Sequence, residues 1–316
     1  MACPKSDSLV RKVCDLYEKI SKLDSLSPSK DVDALFTELV AVCTPPHPID
    51  VSTLCPDLQR IRAHLILLCG RAEGLMEKHY SKILGTFQNP LDHLHLFPYY
   101  SNYLKLARAE HALLAPHRPN PARVAFVGSG PLPLTSIVLA AHHLPHAVFH
   151  NYDVDPAANE LAAGLVGPGG HPLMEFRTAD IVSVPEDVLR EYDVVFLAAL
   201  VGMDGEEKRR VVAHLAAGMG PGAILVVRSA RGARAFLYPV VEPGDLGGFE
   251  VLSVYHPTDD VINSVIVARK CSGLVHSVAG GRGPLLIPCN KCGEIFNPLV
   301  GRAKMVEEFP CQDHVC

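Results

Sequence analysis

The chain has 316 residues, 48% of them hydrophobic and 20% charged, which is enough to bury the cores of about two domains. Its net charge of −5 and its lack of tryptophan argue against a nucleic-acid partner, because they provide neither a basic surface nor a good stacking platform. Ten cysteines without an apolar leader at the amino terminus are typical of reduced thiols and predict a cytoplasmic protein. The longest uncharged run, 124–152, is broken by glycine and proline, so no integral membrane segment is predicted.

Residues 1–119 carry apolar side chains at helical spacing only, and they predict an all-helical amino-terminal domain. Helices are predicted over residues 8–26, 31–42, 56–84 and about 98–115. Gly70 and Gly74 could bend the third of these helices. The proline-rich segment 117–121 then predicts a boundary to a second domain, 120–271.

In the second domain, apolar runs of strand length alternate with helices, which is typical of a parallel sheet with helices on both faces. Strands are predicted over residues 123–127, 147–153, 174–178, 192–198 and 223–228, and helices over 134–143, 156–165, 186–190 and 205–218. A capping box of Asp204 and Glu207 is predicted at the start of the last helix.

Two further strand-like runs, 249–255 and 261–269, are separated by only five residues. A parallel crossover needs a dozen or more, so these runs predict an antiparallel hairpin. The fold class is therefore α/β, with a Rossmann-like sheet of the class I methyltransferase type: five parallel strands and an antiparallel terminal hairpin. The remaining residues, 272–316, are rich in Gly, Pro and Cys and predict a loosely ordered tail.

The loop Gly128-Ser129-Gly130 follows the first predicted strand and precedes a helix. Glycine is needed where a strand turns sharply into a helix and where the backbone approaches a ligand. Dinucleotide sites place a third glycine three residues after the second, and this chain has Pro133 there. The loop therefore predicts a nucleotide-like ligand without a pyrophosphate.

Three acids follow the next two strands. Asp153 ends the second strand, where a carboxylate accepts hydrogen bonds from ribose hydroxyls, and Asp155 lies just beyond it. Asp180 follows the third strand and is placed for the amine of adenine. Three acids suit a ligand with a sulfonium and an ammonium group, so S-adenosylmethionine is the predicted ligand. The alternatives are that Asp155, before Pro156, caps a helix, and that Asp180 is a plain loop acid.

These motifs resemble the nicotianamine synthases of plants. The matching segments extend over nearly the whole chain and are Asn89–Leu94, Phe97–Tyr103, Val127–Ser136, Asn151–Pro156, Gly232–Pro239 and Tyr255–Asp260. One departure is Arg231, where most members are expected to have His.

The resemblance implies a transferase of alkyl groups other than methyl. Three S-adenosylmethionine molecules would be joined through their aminocarboxypropyl groups, giving nicotianamine, a transition-metal chelator, and three methylthioadenosines. S-adenosylmethionine is then a substrate, and no prosthetic group is expected. A small-molecule methyltransferase and a non-catalytic binding module are the alternative functions, and a homo-oligomer is left open.

The helical domain supplies the candidate catalytic groups. Glu73 and Glu77 lie four residues apart and share a helix face. The resemblance favours Glu77 as the base that deprotonates the attacking amine, and Tyr103 as its partner. Without the resemblance, Glu77 is equally typical of a solvated helix face, and Tyr103 of a core aromatic.

Other candidates carry a weaker signal. Tyr99 is a second candidate contact to the substrate, and Arg234 and Tyr238, after the fifth strand, could bind a carboxylate or simply pack. Tyr103–Leu106 resembles a vesicle-sorting signal, which leaves vesicle association open although a helix core is the better interpretation. No metal site is predicted, although the tail contains a candidate ligand set of Cys289, Cys292, Cys311, His314 and Cys316.

Overall fold

The computed structural model describes residues 8–167 and 173–272, which lie within one compact unit. The predictions for the tail beyond residue 272, including those for its cysteines and His314, lie outside the described residues. Of the helices in the described part, none is both long and apolar enough to cross a membrane.

The amino-terminal third is helical, as the sequence predicts. Its α-helices are α1 (Ser8–Ile20), α2 (Lys30–Cys43), α3 (Pro56–Leu84) and α4 (Tyr100–Leu114). Proline at the first position favours the start of α3, because the missing N–H would have no partner there. The helix runs without interruption through Gly70 and Gly74, so neither glycine divides it.

The strands form one mixed sheet, and the predicted hairpin is confirmed. The strands are β1 (Arg123–Val127), β2 (Val148–Asp153), β3 (Met174–Thr178), β4 (Val194–Leu197), β5 (Ile224–Ser229), β6 (Phe249–Tyr255) and β7 (Ser264–Lys270). Their order is β3-β2-β1-β4-β5-β7-β6, with β1 to β5 parallel. β7 runs antiparallel between β5 and β6, so the hairpin closes back onto the sheet.

Helices cover both faces of this sheet. They are α5 (Leu134–His142), α6 (Pro156–Val166), α7 (Glu186–Leu189) and α8 (Gly205–Gly218). Because side chains alternate along a strand, Val124 and Phe126 of β1 enter one core and Ala125 and Val127 enter the other. The first core includes residues of α4 and α5, and the second includes residues of α7 and α8.

The helical part and the sheet are closely packed together. Leu106, Ala107 and Leu114 of α4 are buried against the sheet, although α4 lies before the predicted boundary at residue 119. A third core joins α1, α2 and α3 to Phe236 and Ile262 of the sheet part. The described residues therefore place α3 and α4 directly beside the carboxyl ends of the parallel strands.

Candidate active site

The Gly128-Ser129-Gly130 loop connects β1 to α5 at the point where the strand order reverses. Gly128 and Gly130 have φ of +81° and +64°, a region that side chains rarely adopt. A Cβ atom at Gly128 would collide with Val201, and one at Gly130 would lie 2.5 Å from Glu77 Oε2. The backbone conformation and the lack of space therefore both require glycine at these positions.

Asp153 fixes this loop from the neighbouring strand. Its Oδ2 accepts a hydrogen bond from Gly130 N at 2.8 Å, and its Oδ1 accepts one from Asp155 N at 2.9 Å. A carboxylate has about four lone-pair positions, so two remain for a ligand. Among the described residues, the buried Ser129 hydroxyl has no hydrogen-bond partner, and Ser129 lines the same cavity as Asp153.

These groups line a cavity of about 880 Å³ at the carboxyl ends of β1, β2 and β4. This is where open α/β sheets bind ligands. Asp155 and Asp180 also line it, but each side chain already caps a helical turn: Asp155 accepts from Ala157 N at 2.9 Å, and Asp180 from Val182 N at 3.2 Å. The capping alternative is thus right for Asp155, and contact of either acid with a ligand stays a prediction.

The capping box predicted at α8 is half formed. Asp204 accepts from Glu206 N and Glu207 N, but the Glu207 carboxylate accepts from Met203 N instead of the cap residue. The sequence does not predict that Lys208 is buried. Its amine donates to the carbonyls of Ala198 and Ala199, which follow β4. Burial lowers the pKa of Lys208 to about 7.

Opposite the glycine loop, α3 presents two carboxyl groups, each paired with a phenol. Tyr103 donates to Glu77 Oε1 at 3.4 Å, and Tyr238 donates to Glu73 Oε2 at 2.8 Å. Glu77 is only 8% exposed, so the interpretation as a solvated helix face is wrong. Glu77, Tyr103 and the loop at Gly130 are brought together, as the resemblance implies.

Burial changes the acidity of this group. Desolvation and the neighbouring Glu73 raise the pKa of Glu77 well above 4.5, although the bond from Tyr103 opposes them. Burial also raises the pKa of Glu73, and burial together with the carboxylates raises the pKa of Tyr103 well above 10.0. A carboxyl group whose pKa is raised towards neutrality is a stronger base than an ordinary glutamate.

Arg228, at the end of β5, is a charged group of the cavity wall that our sequence analysis missed. It forms a buried two-point ion pair with Glu110 at 2.7 and 3.0 Å, and donates to Thr135 at 2.6 Å. Its guanidinium lies 6.0 Å from the centre of the Tyr103 ring. Glu110 and Arg228 are 118 residues apart, and no local pattern pairs residues at that separation.

A second cavity, of about 100 Å³, lies between α2, α3 and α4. Its lining is largely apolar and includes Tyr99, which is therefore separated from the glycine loop. The two cavities share four lining residues, Glu73, Tyr103, Tyr238 and Asn263. The second cavity thus adjoins the first through a polar wall.

The structure does not bring Arg234 to either cavity. Its guanidinium donates to the carbonyls of Pro257 and Asp259, the latter at 2.6 Å, in the loop between β6 and β7. These bonds anchor the loop between β6 and β7, and contact of Arg234 with a substrate carboxylate stays a prediction.

The strand order and the acid-lined cavity at the switch point define a Rossmann-like fold of the class I methyltransferase type. Residues 3–275 match the family model described as "Nicotianamine synthase protein". The chain is 57% identical over 319 residues to nicotianamine synthase of Solanum lycopersicum, covering 99% of this chain and 100% of the relative. It is 59% identical to nicotianamine synthase 9 of Hordeum vulgare, covering 84% and 80%.

Solved structures agree on the fold. MtNAS in complex with MTA and tNA has a TM-score of 0.72 at 23% identity, covering 84% of this chain and 99% of that chain. A mutant of MtNAS in complex with S-adenosylmethionine has a TM-score of 0.71 at 24% identity with the same coverage. The chain belongs to the nicotianamine synthase family.

Proposed function

We propose that the chain condenses three S-adenosylmethionine molecules into nicotianamine, with Glu77 as the base. The observation that carries this proposal is the contact between the Glu77 carboxylate and the glycine loop at Gly130. Aminocarboxypropyl transfer to an amine needs a proton acceptor beside the loop, because the attacking amine must lose a proton before it can act as a nucleophile.

The chemistry requires little more than orientation and a base. In two of the three transfers, the amine nitrogen of one molecule attacks the aminocarboxypropyl carbon bonded to the sulfonium of another. In the third transfer, an amine attacks the sulfonium-bound carbon of its own aminocarboxypropyl group and closes an azetidine ring. The C–S bond breaks, its electron pair passes to sulfur, and neutral methylthioadenosine leaves. The attacking amine must first lose a proton, which the carboxylate of Glu77 accepts. Positioning contributes up to about 7–11 kcal/mol, and a general base about 10²–10⁴-fold in rate.

We assign the two cavities to two substrates. The larger one, with Gly128, Ser129, Gly130 and Asp153, suits the adenosyl half of the donor, and Asp155 and Asp180 lie at its edge. The smaller cavity, lined by Tyr99, suits the amino-acid end of the acceptor. Tyr103 lies between them and orients the acceptor amine towards Glu77. In this scheme residues 1–119 provide one wall of the site and residues 120–271 provide the other.

The nucleoside released from S-adenosylmethionine tests the reaction. Methylthioadenosine, together with nicotianamine, is the expected result by mass spectrometry. S-adenosylhomocysteine would instead indicate a methyltransferase, and tight binding without turnover would indicate a binding module. The cytoplasmic location and the homo-oligomer stay predictions.

A further inference from the structure

Asn263 lies one residue before β7, in the wall that the two cavities share. It is 8% exposed, and its side-chain nitrogen is buried with no hydrogen-bond partner among residues 8–167 and 173–272. Leaving a buried amide unpaired is unfavourable, so such a group calls for a missing partner. In a site that binds amino acids, the substrate itself can be that partner.

The shared wall offers few other donors. The hydroxyl of Tyr103 already donates to Glu77, and that of Tyr238 donates to Glu73. The remaining residue of the wall is Asn263, whose amide can donate without carrying a charge. Among the four shared residues, Glu73 can bind the ammonium group of an amino-acid head group, and the Asn263 amide is the donor left for its carboxylate.

The loop that carries Asn263 is held by three side chains, two of them from α4. Arg234 binds the carbonyls of Pro257 and Asp259. From α4, Asn102 donates to the carbonyl of Asp260 at 2.6 Å, and Lys105 forms an ion pair with its carboxylate at 2.7 Å. A side chain on a loop anchored in this way is positioned in advance, as a binding group must be.

We propose that the Asn263 amide binds the carboxylate of the acceptor's amino-acid head group where the two cavities meet. This inference rests on the proposed condensation reaction. It makes Asn263 a substrate-binding residue that sets the position of the attacking amine, and it explains why the loop between β6 and β7 is so firmly anchored.

The test compares Asn263→Ala and Asn263→Asp with the parent enzyme. Asn263→Ala should lower kcat/KM for methylthioadenosine release by about 10- to 100-fold, the effect of losing one hydrogen bond to a charged group. Asn263→Asp should lose more, because the introduced carboxylate repels the substrate carboxylate, and its relative activity should recover as the pH is lowered and that group is protonated. Methylthioadenosine has no amino-acid head group, so its Kd by calorimetry should stay within about threefold in both variants.

Arg60→Met is the control, because it removes an exposed ion pair with Asp57, and neither residue lines either cavity. It should retain kcat/KM within about threefold. The inference is overturned if both Asn263 variants keep parental kcat/KM, or if they weaken methylthioadenosine binding as strongly as turnover, which indicates a structural role. If the parent releases S-adenosylhomocysteine instead, the proposed function fails and this inference fails with it.

Discussion

Glu73 and Glu77 on α3 are each paired with a phenol, but they contact different parts of the site. Glu77 lies against the glycine loop and Glu73 lies against Tyr238 and the smaller cavity. Glu77→Gln keeps the shape of the side chain but cannot accept a proton. We expect it to retain S-adenosylmethionine binding and to lose about 10²–10⁴-fold in kcat, measured as methylthioadenosine release. Glu73→Gln, the matched control, should lose less than about tenfold, and equal losses in the two variants would contradict the assignment of the base.

The raised pKa of Glu77 also makes stability depend on pH. The folded chain holds this proton to a higher pH than the unfolded chain, whose carboxyl has a pKa near 4.5. Between the two pKa values the folded state binds more protons, so the free energy of unfolding decreases as the pH rises. Glu77→Gln removes that titration. Its Tm should therefore fall less than the parent's between about pH 5 and about pH 8 in scanning calorimetry, whereas parallel curves would show that the group titrates normally.

At the scale of single residues, the sequence identifies which residues belong to the site but not which of them contact each other. Gly128, Gly130 and Asp153 are predicted because their roles follow from position along a strand and its loop. Glu77 and Tyr103 depend on the resemblance, since helical spacing alone does not show which face is buried. Tyr238 and Glu73 are 165 residues apart, and only the folded chain brings them together.

The glycine loop contacts α3 where Gly130 lies against Glu77, and one substitution tests this contact. Gly130→Ala imposes a side chain at φ +64°, costing about 1–2 kcal/mol, and its Cβ would displace the Glu77 carboxylate. We expect calorimetry to show weaker S-adenosylmethionine binding. Turnover should fall by more than the decrease in the free energy of unfolding accounts for. Gly164→Ala in α6 is the control, because its Cβ meets no atom of the described residues within 4 Å. It should stabilise the chain by about 0.5–1 kcal/mol in urea titration without changing turnover, and unchanged activity of Gly130→Ala would exclude a functional contact.

Most elements could be predicted from the sequence, and the differences have physical reasons. The strands β1, β3 and β6 begin and end where their apolar patterns do. The run predicted over 261–269 begins later, at Ser264, because Val261 and Ile262 are buried in the anchored loop and not paired in the sheet. Burial gives a loop residue and a strand residue the same apolar signature.

At the scale of the whole molecule, the packing of α4 against the sheet determines which fragment of the chain can fold separately. The fragment 120–272 would retain every strand but lose Leu106, Ala107 and Leu114, which cover the sheet. Exposing that apolar face should make the fragment aggregate in size-exclusion chromatography, whereas a fragment of residues 98–272, which keeps α4, should be more soluble. A soluble 120–272 fragment that unfolds cooperatively would support the predicted boundary at residue 119 as the edge of a domain.

Because α3 is one uninterrupted helix, an insertion or deletion within it would alter the active site. This helix is 29 residues, or about 43 Å, long. Its Leu65 and Leu68 pack in the amino-terminal core, and its Glu73 and Glu77 line the larger cavity. Inserting or deleting one residue between these pairs would rotate the acids by about 100° relative to the core residues. The two acids would then leave the cavity wall while the helix stayed intact. We therefore expect tolerated insertions and deletions to be confined to connections such as residues 21–29, and the spacing within α3 to be invariant among active enzymes.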